Sequence, residues 1–256
     1  MKRLAGNKIL SKNNNKIVDL KKEAAQKAVT FINNNTTVGL GAGSTIAHII
    51  NFLSEEVKKG LTLKMVSASF NTHQLLLQKG FTVQSIADVA EVDIYLDGCD
   101  QVDENLNALK SGGGIHTREK LLASMAKQFL LVGDETKYVK QFDTTYPMVI
   151  ELLPEAIRYA PASIQQLFPD VKTVLRMSDK KEGVAVTDNG NYLMDLWFPV
   201  WPNLQQLNNL IKGITGVVET SLFYNLAHKA IIAGKDRINT LKCCGTVAIL
   251  ENNKTF

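Results

Sequence analysis

Cysteine is scarce in this chain. Its 256 residues include only Cys99, Cys243 and Cys244. They show neither zinc-ligand spacing nor an even disulfide framework, and the adjacent Cys243 and Cys244 are poorly placed to pair with each other. Reduced thiols in a cytoplasmic protein are the simplest reading. Charge of one sign is scarce too. The formal net charge is +4, with no run of five or more Lys and Arg. That bias suits a small anionic substrate and falls far short of a nucleic-acid footprint. No apolar run reaches the ~20 residues that a membrane-spanning helix needs. The opening MKRLAGNKILSKNNNK is basic without an apolar core, so it reads as a frayed arm rather than a secretory signal. His48, His73, His116 and His228 share no spacing and form no metal pattern. No metal and no cofactor is expected.

What remains is ample material for a core. Apolar residues make up 45% and charged residues 21%, enough for one large domain or two modest ones. Residues 17–35 carry helical apolar spacing, with Asp19 as the candidate N-cap. Strand-like and helix-like segments then alternate: TTVGL, STIAHIINFLSEEVKK, LTLKMVSAS, FNTHQLLLQKG, VDIYLDG, TREKLLASMAKQ and FLLVGD. Such alternation argues for an α/β fold, a mostly parallel, doubly wound and Rossmann-like sheet. From about residue 143 the pattern changes to strands, a hairpin at TDNGN and two helices. This predicts a smaller α+β lid domain over 143–222. The main domain takes 1–142 and the returning strands of 223–256.

Three segments carry candidate chemistry. In GLGAGST, glycines follow a strand and Ser44 and Thr45 open a helix. That makes an anion site of backbone N–H groups, helix dipole and hydroxyls; a tight turn capped by Ser44 explains the same residues equally well. Asp97 and Asp100 follow the buried strand VDIYL, where open α/β sheets gather ligands. Lys110, Gly112, Gly113 and Gly114 come next, then Thr117 as a candidate cap and Glu119 in the first helical turn. An Asx-turn and helix-dipole stabilisation account for these carboxylates singly. Their convergence at one strand end favours a site. Lys137, in VGDETK, lies just past a third strand, on the same edge. His116 is near enough to the glycines to matter. Trp197 and Trp201 read as packing residues.

Taken together, VGLGAGST, DGCDQVDENLNALKSGGG with TREK, FLLVGDETK, VTDNGNYLMDLWF and GVVETSLF resemble type A ribose-5-phosphate isomerase, over about residues 17–240. The resemblance implies an aldose–ketose isomerase of the non-oxidative pentose phosphate pathway that interconverts D-ribose 5-phosphate and D-ribulose 5-phosphate. It implies that Ala42, Gly43, Ser44 and Thr45 hold the phosphate with Lys137, Lys21 assisting. It makes Asp97 and Asp100 the sugar-binding and ring-opening aspartates, Lys110 the lysine that steadies the substrate oxygen, and Glu119 the base. Ser111, Gly112 and Gly113 would line the oxygen's side. The chemistry agrees: an enediolate intermediate needs one carboxylate over two carbons and positive charge or N–H groups near the oxygens.

Four residues depart from the family pattern. Ala42 stands for a threonine, Cys99 for an alanine, Gln101 for an acidic residue and Ser111 for a glycine. Ser111 is harmless only at negative φ. These departures leave room for a related phosphosugar isomerase of shifted specificity. A non-catalytic phosphosugar-sensing module would not need Glu119 or Lys110. The resemblance further implies a homodimer or homotetramer, with no nucleic-acid or membrane partner.

Overall fold

The computed structural model describes residues 19–179 and 182–242. The basic N-terminal stretch, Cys243 and Cys244 lie outside them. The chain opens with α1 (Leu20–Val29), β1 (Thr36–Leu40), α2 (Ser44–Lys58), β2 (Leu63–Ser67), α3 (Phe70–Gln78), β3 (Val83–Gln84) and β4 (Val92–Asp97). A short hairpin follows, β5 (Gln101–Val102) and β6 (Ala108–Leu109), then α4 (His116–Met125) and β7 (Ala126–Asp134). The next stretch holds β8 (Met148–Leu152), α5 (Tyr159–Leu167), β9 (Lys172–Leu175), β10 (Tyr192–Trp197), α6 (Leu204–Lys212) and β11 (Val217–Thr220). It ends with β12 (Leu222–Phe223), β13 (Lys229–Ala233) and β14 (Ile238–Lys242).

Seven strands form the main sheet in the order β14-β13-β7-β4-β1-β2-β3. All pairs are parallel except β13 with β14. Side chains alternate across a strand, and both faces here are covered. Ile94, Leu96, Leu130, Val132 and Ile231 pack with α1 and α2 on one face. Tyr95, Phe129, Leu131, Ala230 and Ile232 pack with Leu122 and Ala123 of α4 on the other. This is why VDIYL and FLLV read as continuous apolar runs. The α/β expectation holds, with the late strands rejoining the first sheet.

The stretch from β8 to β11 builds a four-stranded antiparallel sheet, β11-β8-β10-β9. Ala160 and Ile164 of α5 and Leu207 and Ile211 of α6 cover it. Trp201 packs on Phe142 and Phe198, as a packing residue should. A three-stranded sheet, β12-β6-β5, joins the two larger ones.

Three local expectations need correction. The TDNGN turn forms, closed by Thr187 N–H to Asn191 O at 2.8 Å and by the antiparallel bridge Val186–Tyr192, but the expected hairpin does not extend into a ladder: the segment before it forms only isolated bridges, and β10 pairs with β8 and β9. Ser44 does not cap α2, because Gly43 holds the N-cap position. Thr117 does not cap α4 either: the cap position belongs to Ile115, and the Thr117 hydroxyl leaves the helix for Glu151. Asp19 does cap α1, accepting from Lys22 N.

Candidate active site

Strand order reverses at β1. The chain runs outward through β2 and β3 on one side, and through β4 and β7 on the other. Ligands bind outside the carboxyl ends of strands at such a switch point. Three loops meet there: 41–45 after β1, 98–100 after β4, and 135–137 after β7. They wall a cleft of about 250 Å³ whose lining includes Lys21, Ala42, Gly43, Ser44 and Thr45. Gly98, Cys99, Asp100, Lys110, Gly112, Gly113, Glu119, Val132, Gly133, Asp134 and Lys137 complete it.

The turn after β1 is shaped by its glycines. Gly43 has φ +101°, a conformation that L side chains rarely adopt. At Gly41 a Cβ would lie 1.9 Å from Cγ of Asp97, so the carboxylate fills the room a side chain would take. Ala42 N–H then donates to Asp97 Oδ1 at 3.2 Å, tying the turn to the end of β4. Beyond it, α2 points its N-terminus into the cleft, where free N–H groups and the helix dipole favour an anion. Lys21 reaches over from α1 and donates to the Ser44 hydroxyl at 3.3 Å.

The floor is an ionic cluster. Lys110 Nζ lies 2.8 Å from Asp97 Oδ2 and 3.3 Å from Glu119 Oε1. It also donates to Gly98 O at 2.7 Å. All three side chains are buried. Asp97 is sealed beneath Lys110, accepting from the Tyr95 hydroxyl at 2.5 Å and from Gly98 N–H at 2.7 Å. Burial alone would lower the Lys110 ammonium; the two carboxylates outweigh it and hold the group above its ordinary value. Glu119 goes the other way. Burial first, then the Asp97 charge, push its carboxyl well above the ordinary range despite Lys110. A carboxyl tuned upward beside a fixed ammonium can take and return a proton near neutral pH.

Asp100 plays a different part from Asp97. Its Oδ2 accepts from Ser111 N–H at 2.6 Å and Gly112 N–H at 3.0 Å. Those two amides, expected to face a substrate oxygen, are already engaged by Asp100. Ser111 itself lies outside the cleft lining. Its φ is not positive, since Asn35, Leu106 and Asn225 are the positive-φ non-glycine residues among those described. Its hydroxyl donates to Pro147 O at 2.5 Å, pinning the glycine loop to the chain entering β8. Gln101 donates to Asp143 Oδ1 at 2.5 Å, where an acidic residue would repel.

The structure thus brings Lys21, 42–45, Asp100, Lys110, Gly112, Gly113, Glu119 and Lys137 into one cleft. Asp97 and Ser111 are buried and are not part of its lining. His116 is buried in α4, near Glu219 O at 3.3 Å, and is absent from the lining. Sequence reasoning missed Asp134, which lines the cleft, and Tyr95, which supports Asp97. Tyr95 was findable: two residues before Asp97 on one strand, it shares that residue's face. Among the described residues no group of three or more His, Cys, Asp and Glu is arranged to hold a metal ion.

A cleft at a sheet's switch point, lined by a helix N-terminus, two lysines and a buried carboxylate–ammonium cluster, is the arrangement of an α/β enzyme suited to a small anionic molecule. Comparison with known proteins makes the class specific. Residues 64–237 match the family model described as ribose 5-phosphate isomerase A (phosphoriboisomerase A), and the chain belongs to this family. It is 37% identical to ribose-5-phosphate isomerase A of Thermosynechococcus vestitus, over 84% of this chain and 92% of the relative. With the human ribose-5-phosphate isomerase the identity is 38%, over 86% of this chain and 72% of the relative. Among solved structures, ribose 5-phosphate isomerase A of Methanocaldococcus jannaschii superposes with a TM-score of 0.82 at 32% identity, covering 88% of this chain and 98% of that one. A D-ribose-5-phosphate isomerase in complex with phospho-erythronic acid gives 0.81 at 33% identity, covering 87% and 97%.

Proposed function

We propose that the chain interconverts D-ribose 5-phosphate and D-ribulose 5-phosphate by moving a proton between C1 and C2. The Lys110–Glu119 pair, held across one cleft from the turn at 42–45, carries this reading. Glu119 is the base: its carboxylate removes the C2 proton of the open-chain aldose and returns it to C1, while the hydroxyl proton passes from O2 to O1. Lys110 supplies positive charge where negative charge grows on the substrate oxygens, in a buried setting that strengthens the interaction. Asp97 fixes Lys110, and through it takes part in ring opening. Asp100 holds the glycine loop at the sugar. The turn at 42–45, with Lys21 and Lys137, receives the phosphate. The complex of the related isomerase with phospho-erythronic acid supports a phosphorylated sugar as ligand. The family resemblance supports a homodimer or homotetramer working in the cytoplasm.

The test is turnover by the purified protein. Ribose 5-phosphate should give ribulose 5-phosphate, with kcat/KM far above that for other phosphorylated aldoses. A preference for another phosphosugar would favour shifted specificity. Binding of ribose 5-phosphate without turnover of any phosphosugar would favour a sensing module.

A further inference from the structure

Glu119 stands in the first turn of α4, yet its neighbours in that turn face away from the cleft. His116 Nε2 lies 3.3 Å from Glu219 O. The Thr117 hydroxyl donates to Glu151 Oε2. Arg118 donates through Nε to Asn189 Oδ1 at 2.9 Å and through Nη2 to Asp188 O at 3.1 Å. Lys120 Nζ donates to Glu219 Oε1 at 2.9 Å and Thr220 Oγ1 at 3.1 Å. Every partner belongs to the four-stranded sheet or to its 187–191 turn. The residue proposed as the base is therefore gripped on both sides in sequence by a sheet that contributes nothing to the cleft lining.

The centre of that grip is Glu151. It sits on β8, paired with Glu219 of β11 and Leu193 of β10, and it is fully buried. Oε1 accepts from Thr187 Oγ1 at 2.8 Å, Asn189 Nδ2 at 3.0 Å and Asn191 Nδ2 at 2.8 Å. Asn189 Nδ2 also approaches Oε2 at 3.3 Å, the oxygen that Thr117 bonds. A fully buried carboxylate is costly unless its lone pairs are satisfied. Here four neutral side chains satisfy them. Burial works to raise this carboxyl, and the four hydrogen-bonding side chains together outweigh it and keep it ionised. Three of the donors come from the turn TDNGN and one from α4. Glu151 therefore welds that turn, β8 and the base-bearing helix into one unit. This gives the TDNGN motif a role that a plain hairpin turn does not explain.

We propose that Glu151 is a positioning residue for the isomerisation: through Thr117 it sets where the Glu119 carboxylate stands over the substrate carbons. The inference rests on Glu119 being the base. Displacing a reacting group by about 1 Å costs on the order of 100-fold in rate, so Glu151→Gln should lower kcat about 10- to 100-fold. KM for ribose 5-phosphate should change less than about threefold, because the phosphate-binding turn and Lys137 share no partner with Glu151. Thr117→Val cuts the same link from the helix side and should lower kcat several-fold, also at nearly constant KM. This second variant decides the matter if Glu151→Gln does not fold. On a Glu119→Gln background, adding Glu151→Gln should reduce the residual turnover by no more than about twofold, since a residue acting through Glu119 has nothing further to displace. Unchanged kcat in the folded variants, or a KM that rises instead, overturns the positioning role. Wild-type kcat in Glu119→Gln overturns the base assignment itself, a separate result.

Discussion

Replacing Lys110 by Met exposes the cost of the cleft's charge arrangement. The ammonium is the cation that separates two buried carboxylates, at 2.8 Å from Asp97 and 3.3 Å from Glu119. Met keeps the length and the apolar stem and removes the charge. Breaking one side of a buried ion pair typically costs about 3–5 kcal/mol, because it leaves a charge uncompensated. Asp97 retains Tyr95, Gly98 and Ala42 as donors. Glu119 loses the ammonium that lowers its pKa while keeping the Asp97 charge and the burial that raise it. Its folded-state pKa, already above 4.5, must climb further. A carboxyl raised on folding favours the fold when protonated, so this contribution is present below its unfolded pKa and is lost as pH rises through the folded value. The deficit of Lys110→Met against wild type should therefore grow with pH. Urea denaturation at pH 8.5 should show a loss of about 3–5 kcal/mol. At pH 5.5 the loss should be smaller by up to about 0.8 kcal/mol, because only the part of the titration above the wild-type value of about 8 separates the two proteins and each pKa unit is worth about 1.4 kcal/mol. A deficit that is flat between these pH values, or larger at pH 5.5, would refute the coupling of Lys110 to Glu119.

Two other perturbations probe separate parts of the cleft. Lys137→Ala should raise KM for ribose 5-phosphate about 10- to 100-fold, from the loss of a charge-assisted hydrogen bond of about 1.5–3 kcal/mol, and leave kcat within a few-fold; an unchanged KM in steady-state assays removes Lys137 from the phosphate site. Gly41→Ala should displace the Asp97 carboxylate, against which its Cβ would lie at 1.9 Å. A stability loss of about 1–3 kcal/mol in chemical denaturation, together with a fall in kcat, is expected; a stable, fully active variant would show that the contact between turn and strand is dispensable.

That these residues share one cleft was legible in the sequence, because the carboxyl edge of a parallel sheet gathers the βα loops. Asp97 ends one strand of that sheet and Lys137 stands just past another, and Lys110 and Glu119 lie in the loop and helix that follow Asp97. What the sequence hid depends on pairings between distant segments. The burial of Asp97 beneath Lys110 follows from Lys110 being anchored after β6, where its N–H meets Ser221 O. The engagement of the Ser111 and Gly112 amides by Asp100 likewise depends on how the loop folds back. Thr117 has the residue type and place of a helix cap, and only the arrival of β8 turns its hydroxyl toward Glu151. Ser111 raised concern as a side chain in a glycine run. The concern falls away because the backbone there does not need positive φ and the hydroxyl has a buried acceptor.

Proton transfer in the proposed isomerisation depends on Glu119. Single-turnover conversion of ribose 5-phosphate by Glu119→Gln, measured alongside its binding of the same substrate, tests this most directly. Gln preserves the shape and cannot act as the base. Binding should stay within a few-fold of wild type and the rate of conversion should fall by at least about 100-fold, the smallest effect expected for losing a general base. Conversion at the wild-type rate by a folded, substrate-binding Glu119→Gln protein would contradict this dependence.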